Sequence, residues 1–283
     1  KGSLLRQLYH ETAQLLTDTE DGAVTQREQI DGAIADLRTE LAEMEPARVD
    51  RIIARHYDDY WVRTDAETQV AHAHLLEEVD QTDAKFATTV TSDRFTEITR
   101  LICVAPNHPR LLSQLAGCCA AIGANIIGAQ ISTTRDGLGI DDFLLQRGFD
   151  ADDDEERRAR RLTKTIENVL LGESRLKDLL AGVKAPTTRS RAFAVVPEVI
   201  IDNTVSDQFT VIDAAGRDRP GLLYDLTSAL SDLNLDINSA RITTFGERAN
   251  DAFYVTDLMS KKIIAPQRKE QIEKRLLAVL KSK

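Results

Sequence analysis

DRPGLLYDLTSALSDLNLDINSARITT, residues 218–244, reads as a turn that enters a helix and leaves it for a strand. Pro220 and Gly221 punctuate the start, the first by fixing φ and the second by offering no side chain. Leu222, Leu223, Leu226, Ala229, Leu230 and Leu233 then share one stripe, the spacing of a helix lying on a sheet. NHPRLLSQLAGCCAAIGANIIGAQIST, residues 107–133, runs under this stretch at a constant spacing of 111 residues. Pro109, Leu111, Leu112, Leu115, Ile126, Ala129, Ile131 and Thr133 fall on Pro220, Leu222, Leu223, Leu226, Ile237, Ala240, Ile242 and Thr244. The match continues after a one-residue difference in the next hairpin, with Asp141 and Phe143 on Asp251 and Phe253. Leu162, Ile166, Val169 and Leu170 then fall on Ile272, Leu276, Val279 and Leu280. One unit is present twice.

Each unit runs strand, helix, strand, strand, helix. In the second copy these are predicted at roughly 208–216, 220–233, 235–245, 249–259 and 266–281. A split βαβ, ferredoxin-like layer needs one more strand. With the chain ending at Lys283, the expected source is upstream, KFATTVT (85–91) or RAFAVVPEVII (191–201). Before Lys85 the texture is helical: LLRQLYHETAQLL, QREQIDGAIADLRTELAEM, ARVDRIIARHY and AETQVAHAHLLEEV, separated by short polar turns. The expected fold class is therefore α+β, a helical lead-in over 1–83 followed by two ferredoxin-like units at 84–184 and 185–283.

A net charge of −10 disfavours nucleic acid as a partner. No stretch approaches eighteen consecutive apolar residues, and the first sixteen mix charge into an amphipathic pattern, so neither a membrane span nor a signal peptide is expected, and the location expected is cytoplasmic. Cys103, Cys118 and Cys119 lack metal-ligand spacing, and the vicinal pair sits in the first copy's apolar stripe, so these read as small core residues. His72 and His74, two apart on a helix, point to different faces. Acids at 152–156 followed by Arg157, Arg158, Arg160 and Arg161 suit a helix dipole, and Trp61 suits a local core. No catalytic residue and no metal ligand is assigned.

The chemistry concentrates on the turn. A helix beginning after Pro220-Gly221 presents free backbone N–H groups that attract a carboxylate, and Asp218 is placed to cap some of them. Asp236, Ile237 and Asn238, at the start of the next strand, offer polar partners for an ammonium or amide. Asp218, Arg219, Gly221, Leu222, Asp236, Ile237 and Asn238 thus form the second copy's candidate ligand site, and its chemistry suits an amino acid. In the first copy Arg110 stands where the second has Gly221, leaving Asn107, His108, Arg110, Asn125 and Ile126 as a weaker set.

DRPGLL followed by LNLDI, and HPRLL followed by GANI, resemble the ACT domain, a βαββαβ module that commonly senses amino acids at domain interfaces. The tandem pair, with YVTDL near its end and LLRQLYHET and ARHYDDYWVR before it, is similar to the C-terminal part of the bifunctional uridylyltransferase/uridylyl-removing enzymes that modify the PII nitrogen-signalling protein. The resemblance implies glutamine as ligand, PII as partner through the full-length enzyme, and contact with that enzyme's own catalytic domains. It implies no cofactor in this chain and Mg in the absent catalytic domains. Gly2-Ser3 is not followed closely by an Asp-x-Asp pair and there is no His-Asp dipeptide, so both catalytic motif sets are missing and a regulatory region, inactive alone, is expected. An oligomerisation module without ligand, or a sensor serving another metabolic enzyme, are the alternatives.

Overall fold

The computed structural model describes residues 20–82, 84–181 and 195–282. Among them, α1 (Glu20–Glu40), α2 (Pro46–Arg55), α3 (Asp58–Arg63) and α4 (Ala66–Thr82) come first. The first copy follows as β1 (Ala87–Asp93), β2 (Ile98–Pro106), α5 (Leu111–Ala121), β3 (Ile126–Thr133), β4 (Leu138–Gln146), α6 (Asp152–Leu170) and α7 (Leu176–Ala181). The second is β5 (Glu198–Asp202), β6 (Thr210–Arg217), α8 (Leu222–Asp232), β7 (Leu235–Phe245), β8 (Arg248–Asp257) and α9 (Pro266–Lys281). The helix expected in LLRQLYHETAQLL and residues 191–194 of the proposed strand segment lie outside the described residues.

Two compact units result, one holding the helices up to Ala87 with Thr134–Leu138, the other holding Thr88–Thr133 and the chain from Gly139 onward. In the first, Leu37, Val49, Ile52, Leu75 and Leu76 form the core. Pro46 opens α2, and the Asp65 carboxylate starts α4 by accepting from the Thr68 amide and hydroxyl at 3.0 and 2.7 Å. The DDYWVR segment forms α3, a helix too short for periodicity to mark it. Its Tyr60 ring stacks on His56 at 3.6 Å, and Trp61 meets His56 edge-on at 5.5 Å, so the tryptophan belongs to a local aromatic core. His72 is buried with Nδ1 3.1 Å from the Tyr60 hydroxyl, whereas His74 is exposed.

The second unit carries an eight-stranded sheet in the order β1-β2-β4-β3-β7-β8-β6-β5. The upstream strands β1 and β5 occupy its two outer edges, so each copy completes its four strands with the segment preceding it. The copies join through β3 and β7, antiparallel, with Ala129 opposite Ile242, Gln130 opposite Arg241 and Ile131 opposite Ala240. Gln130 and Arg241 are equivalent in the repeat, so the two copies are related by a local twofold through that pair. Helices α5 and α8 pack together, and Gly117 permits the approach. A Cβ there would lie 2.5 Å from Leu176 Cδ2 on α7 and 2.9 Å from Tyr224 Cδ2 on α8.

The repeated leucines are buried in both copies, with Leu115 and Leu226 fully enclosed, as are Phe143 and Phe253 on the core face of β4 and β8. Cys103, Cys118 and Cys119 are inside this core, and burial pushes the Cys118 thiol up to about 12 and the other two upward as well. The acids of α6 begin its first turn, and one, Glu155, is itself buried, accepting from the Thr99 hydroxyl and the Gly148 amide. Register shifts fall between Ile126 and Gly128 on β3 and between Ile237 and Ser239 on β7, equivalent positions in the two copies.

Candidate functional site

The loop between β6 and α8 turns tightly, with the Leu222 amide donating to Arg219 O at 3.0 Å. The N-cap of α8 is Gly221, in the left-handed region at φ 79°, and no side chain caps the helix. Asp218 therefore does not take the capping role expected of it: the Pro-Gly turn carries the chain past it, and its own amide instead donates to Glu247 O at 2.9 Å. The need for glycine at 221 is conformational. A Cβ there would meet only Ala120 Cβ at 3.8 Å, an ordinary contact. In the first copy the N-cap Arg110 has φ −109° and ψ −1°, which any residue adopts, so the repeat tolerates arginine at this position. Gly221→Ala is accordingly expected to destabilise by about 1–2 kcal/mol, read from the urea midpoint. Gly221→Arg carries the same backbone strain, so its effect on ligand has to be corrected for that loss.

Asp218, Arg219, Gly221 and Leu222 line a cavity whose opposite wall is the first copy's Ala120 and Asn125. Ile126 lines it as well. The cavity measures about 20 Å³, room for about one water. The two candidate sets are thus exchanged between copies: the second copy's loop meets the first copy's strand start. The reverse pairing holds at the other side of the local twofold. There Ser231 Oγ donates to Pro109 O, Arg110 reaches Asp232 at 3.3 Å, and His108 and Asp236 influence each other's charge. Burial lowers the His108 pKa, with Asp236 opposing; burial raises that of Asp236, with His108 opposing. Asn107 is half-buried on the same loop. Ile237 is buried in the core. Asp236 and Asn238 line an open groove of about 600 Å³ beside Lys261 and Lys262, away from Gly221, and the Asn238 carbonyl accepts from the Thr133 hydroxyl at 2.9 Å.

Asp251, on β8, also lines the small cavity, although nothing in its local motif marks it. It is 3% exposed, its Oδ1 has no hydrogen-bond partner, and burial pushes its pKa up to about 8, Asp218 adding to the rise and the Thr243 amide opposing it. Its counterpart Asp141 is 1% exposed with Oδ2 unpartnered, and burial raises its pKa to about 7. The available signal was the repeat itself: an acid matched in both copies two residues before a matched core phenylalanine, hence on the same face of the strand. Burial raises the pKa of Asp218 too, against the Arg219 amide and guanidinium. Among the described residues no group of three or more His, Cys, Asp or Glu is placed to hold a metal ion, and no helix is long and apolar enough to cross a membrane.

A family model described as "ACR9-like, ACT-like domain" matches residues 198–282. The bifunctional uridylyltransferase/uridylyl-removing enzyme of Rhodopseudomonas palustris is 45% identical over 99% of this chain, and that of Bradyrhizobium diazoefficiens 44% identical over 99%. The chain spans 30% of the length of each of these curated relatives. An aspartate kinase from Synechocystis, 17% identical, covers 66% of this chain and 27% of its own with a TM-score of 0.37. Over nearly its whole length the chain is thus similar to the C-terminal region of bifunctional uridylyltransferase/uridylyl-removing enzymes, and residues 198–282 match an ACT-like domain.

Proposed function

We propose that this chain is the glutamine-sensing regulatory region of such an enzyme, biasing it between attaching and removing uridylyl groups on the PII protein in the cytoplasm. The transferase and hydrolase chemistry, with its Mg, is assigned to catalytic domains outside this chain, which act as its partners. The observation that carries the reading is the cavity at Gly221, because its walls come from both copies and it holds only about one water. A free amino acid enters only if the loop and the facing end of α5 move apart. Occupancy then changes how the copies pack, which is what a sensor must convert into a signal. Differential affinity of about 1–3 kcal/mol between two such arrangements is typical of allosteric coupling.

Isothermal titration of the purified chain with L-glutamine is expected to give saturable heat, and glutamine at a large excess over Kd is expected to raise the melting temperature. Heat with another amino acid but none with glutamine reassigns the ligand. Absence of heat with every proteinogenic amino acid removes the sensing reading.

A further inference from the structure

We propose that Asp251 is the residue that reads the ammonium group of the ligand in the shared cavity, a role that rests on the amino-acid-sensing reading above. The helix N-terminus at Gly221 supplies donors for an anion, but a zwitterion also brings a positive end. Asp251 meets that need: it lines the same cavity, is 97% withdrawn from solvent, and keeps Oδ1 without a partner. A buried acceptor left unmatched in a protein interior is unusual and calls for an occupant of the adjoining space. Arg219, on the same lining, buries its Nε without an acceptor while its Nη2 reaches Asp225, Val279 O and Ser282, so a guanidinium N–H and a carboxyl oxygen both stand unmatched around one cavity. A carboxylate and an ammonium on one carbon match that pair.

The charged groups around Asp251 are few. Asp218 and Arg219 come from the β6–α8 loop, β7 contributes the Thr243 amide, β6 places Ala214 opposite, and the wall from the first copy carries no ionisable side chain. Before ligand enters, burial holds the Asp251 carboxyl protonated near neutrality, its pKa being about 8. An ammonium at Oδ1 favours the carboxylate, so the proton leaves Asp251 for solvent as the ligand binds.

The test is titration of the purified chain with L-glutamine at pH 7 in two buffers of different ionisation enthalpy, comparing wild type, Asp251→Asn and Asp141→Asn. Wild type is expected to release close to one proton per glutamine. Asp251→Asn is expected to bind about tenfold more weakly or worse and to release none, while Asp141→Asn retains both properties. N-acetylglutamine, which lacks the ammonium, is expected not to bind wild type. Unchanged affinity in Asp251→Asn, or binding without proton release in wild type, overturns the role of Asp251 and leaves the sensor reading standing. Absence of heat from wild type with glutamine and with every other proteinogenic amino acid defeats the sensing reading and this role together.

Discussion

Phe253→Ala is expected to lower the stability of the sheet unit by about 3–5 kcal/mol, seen as an early urea midpoint at constant protein concentration. The ring is completely enclosed. Across the sheet it lies between Ala240 on β7 and Ile212 on β6, so one small neighbour makes room for it and one large neighbour covers it. Removing the ring discards its transfer free energy and leaves a cavity that an alanine opposite cannot fill. Phe143→Ala is expected to behave alike, because the repeat places Ala129 opposite Phe143 and that ring is equally enclosed. By contrast Ile200 on the edge strand β5 is half exposed, and Ile200→Ala is expected to cost a fraction as much. Equal losses for Phe253 and Ile200 would mean that the β8 ring does not close the core.

Stability of the wild-type chain is expected to fall as pH rises from about 5 to 8, and the double substitution Asp141→Asn/Asp251→Asn is expected to remove most of that slope. Both carboxyls have folded-state pKa values, about 7 and about 8, above the ordinary 3.8. Through that interval the folded protein keeps protons that the unfolded chain gives up. The contribution of each acid is therefore complete below the unfolded value and is lost as pH climbs through the folded one. The loss is on the order of 5 kcal/mol for the two together, taken at 1.36 kcal/mol per pKa unit. Other groups act in the opposite direction. Burial holds the His56 pKa at about 3 with Arg55 adding to the effect, so protonation favours the unfolded chain as pH falls below the ordinary 6.5. For Glu155, burial pushes upward, but Thr99, the Gly148 amide and Arg158 together pull its pKa below the ordinary value, so its contribution is lost in acid. Urea titrations of both proteins at several pH values isolate the aspartates by difference. Parallel wild-type and variant profiles would show that these carboxyls ionise freely in the folded chain.

Much of the architecture could be read from residue order, because the forces involved are local or periodic. The leucine stripes of α5 and α8 specify amphipathic helices, and the repeat specifies the same strand order twice. The need to complete each four-stranded layer pointed upstream, to the segments that became β1 and β5. Helices α3 and α7 were not legible, being six residues each and too short for a period to show. At the site, Gly221 was legible as special, but for a neighbouring reason: its φ of 79° demands glycine, while the space around it does not.

Alone, then, the sequence determined that this chain holds two copies of one sheet-and-helix unit, since a duplicated apolar pattern can bury itself in only one way within each copy. Only the tertiary structure decided that β3 of one copy pairs with β7 of the other. That choice, made by matching two exposed strand edges far apart in the chain, is invisible to local pattern. It exchanges the candidate residues between copies, setting Asn125 and Ile126 opposite Asp218 and Gly221. It also turns Asp251 from a charge in a strand into a buried acid with an unmatched oxygen at the wall they share.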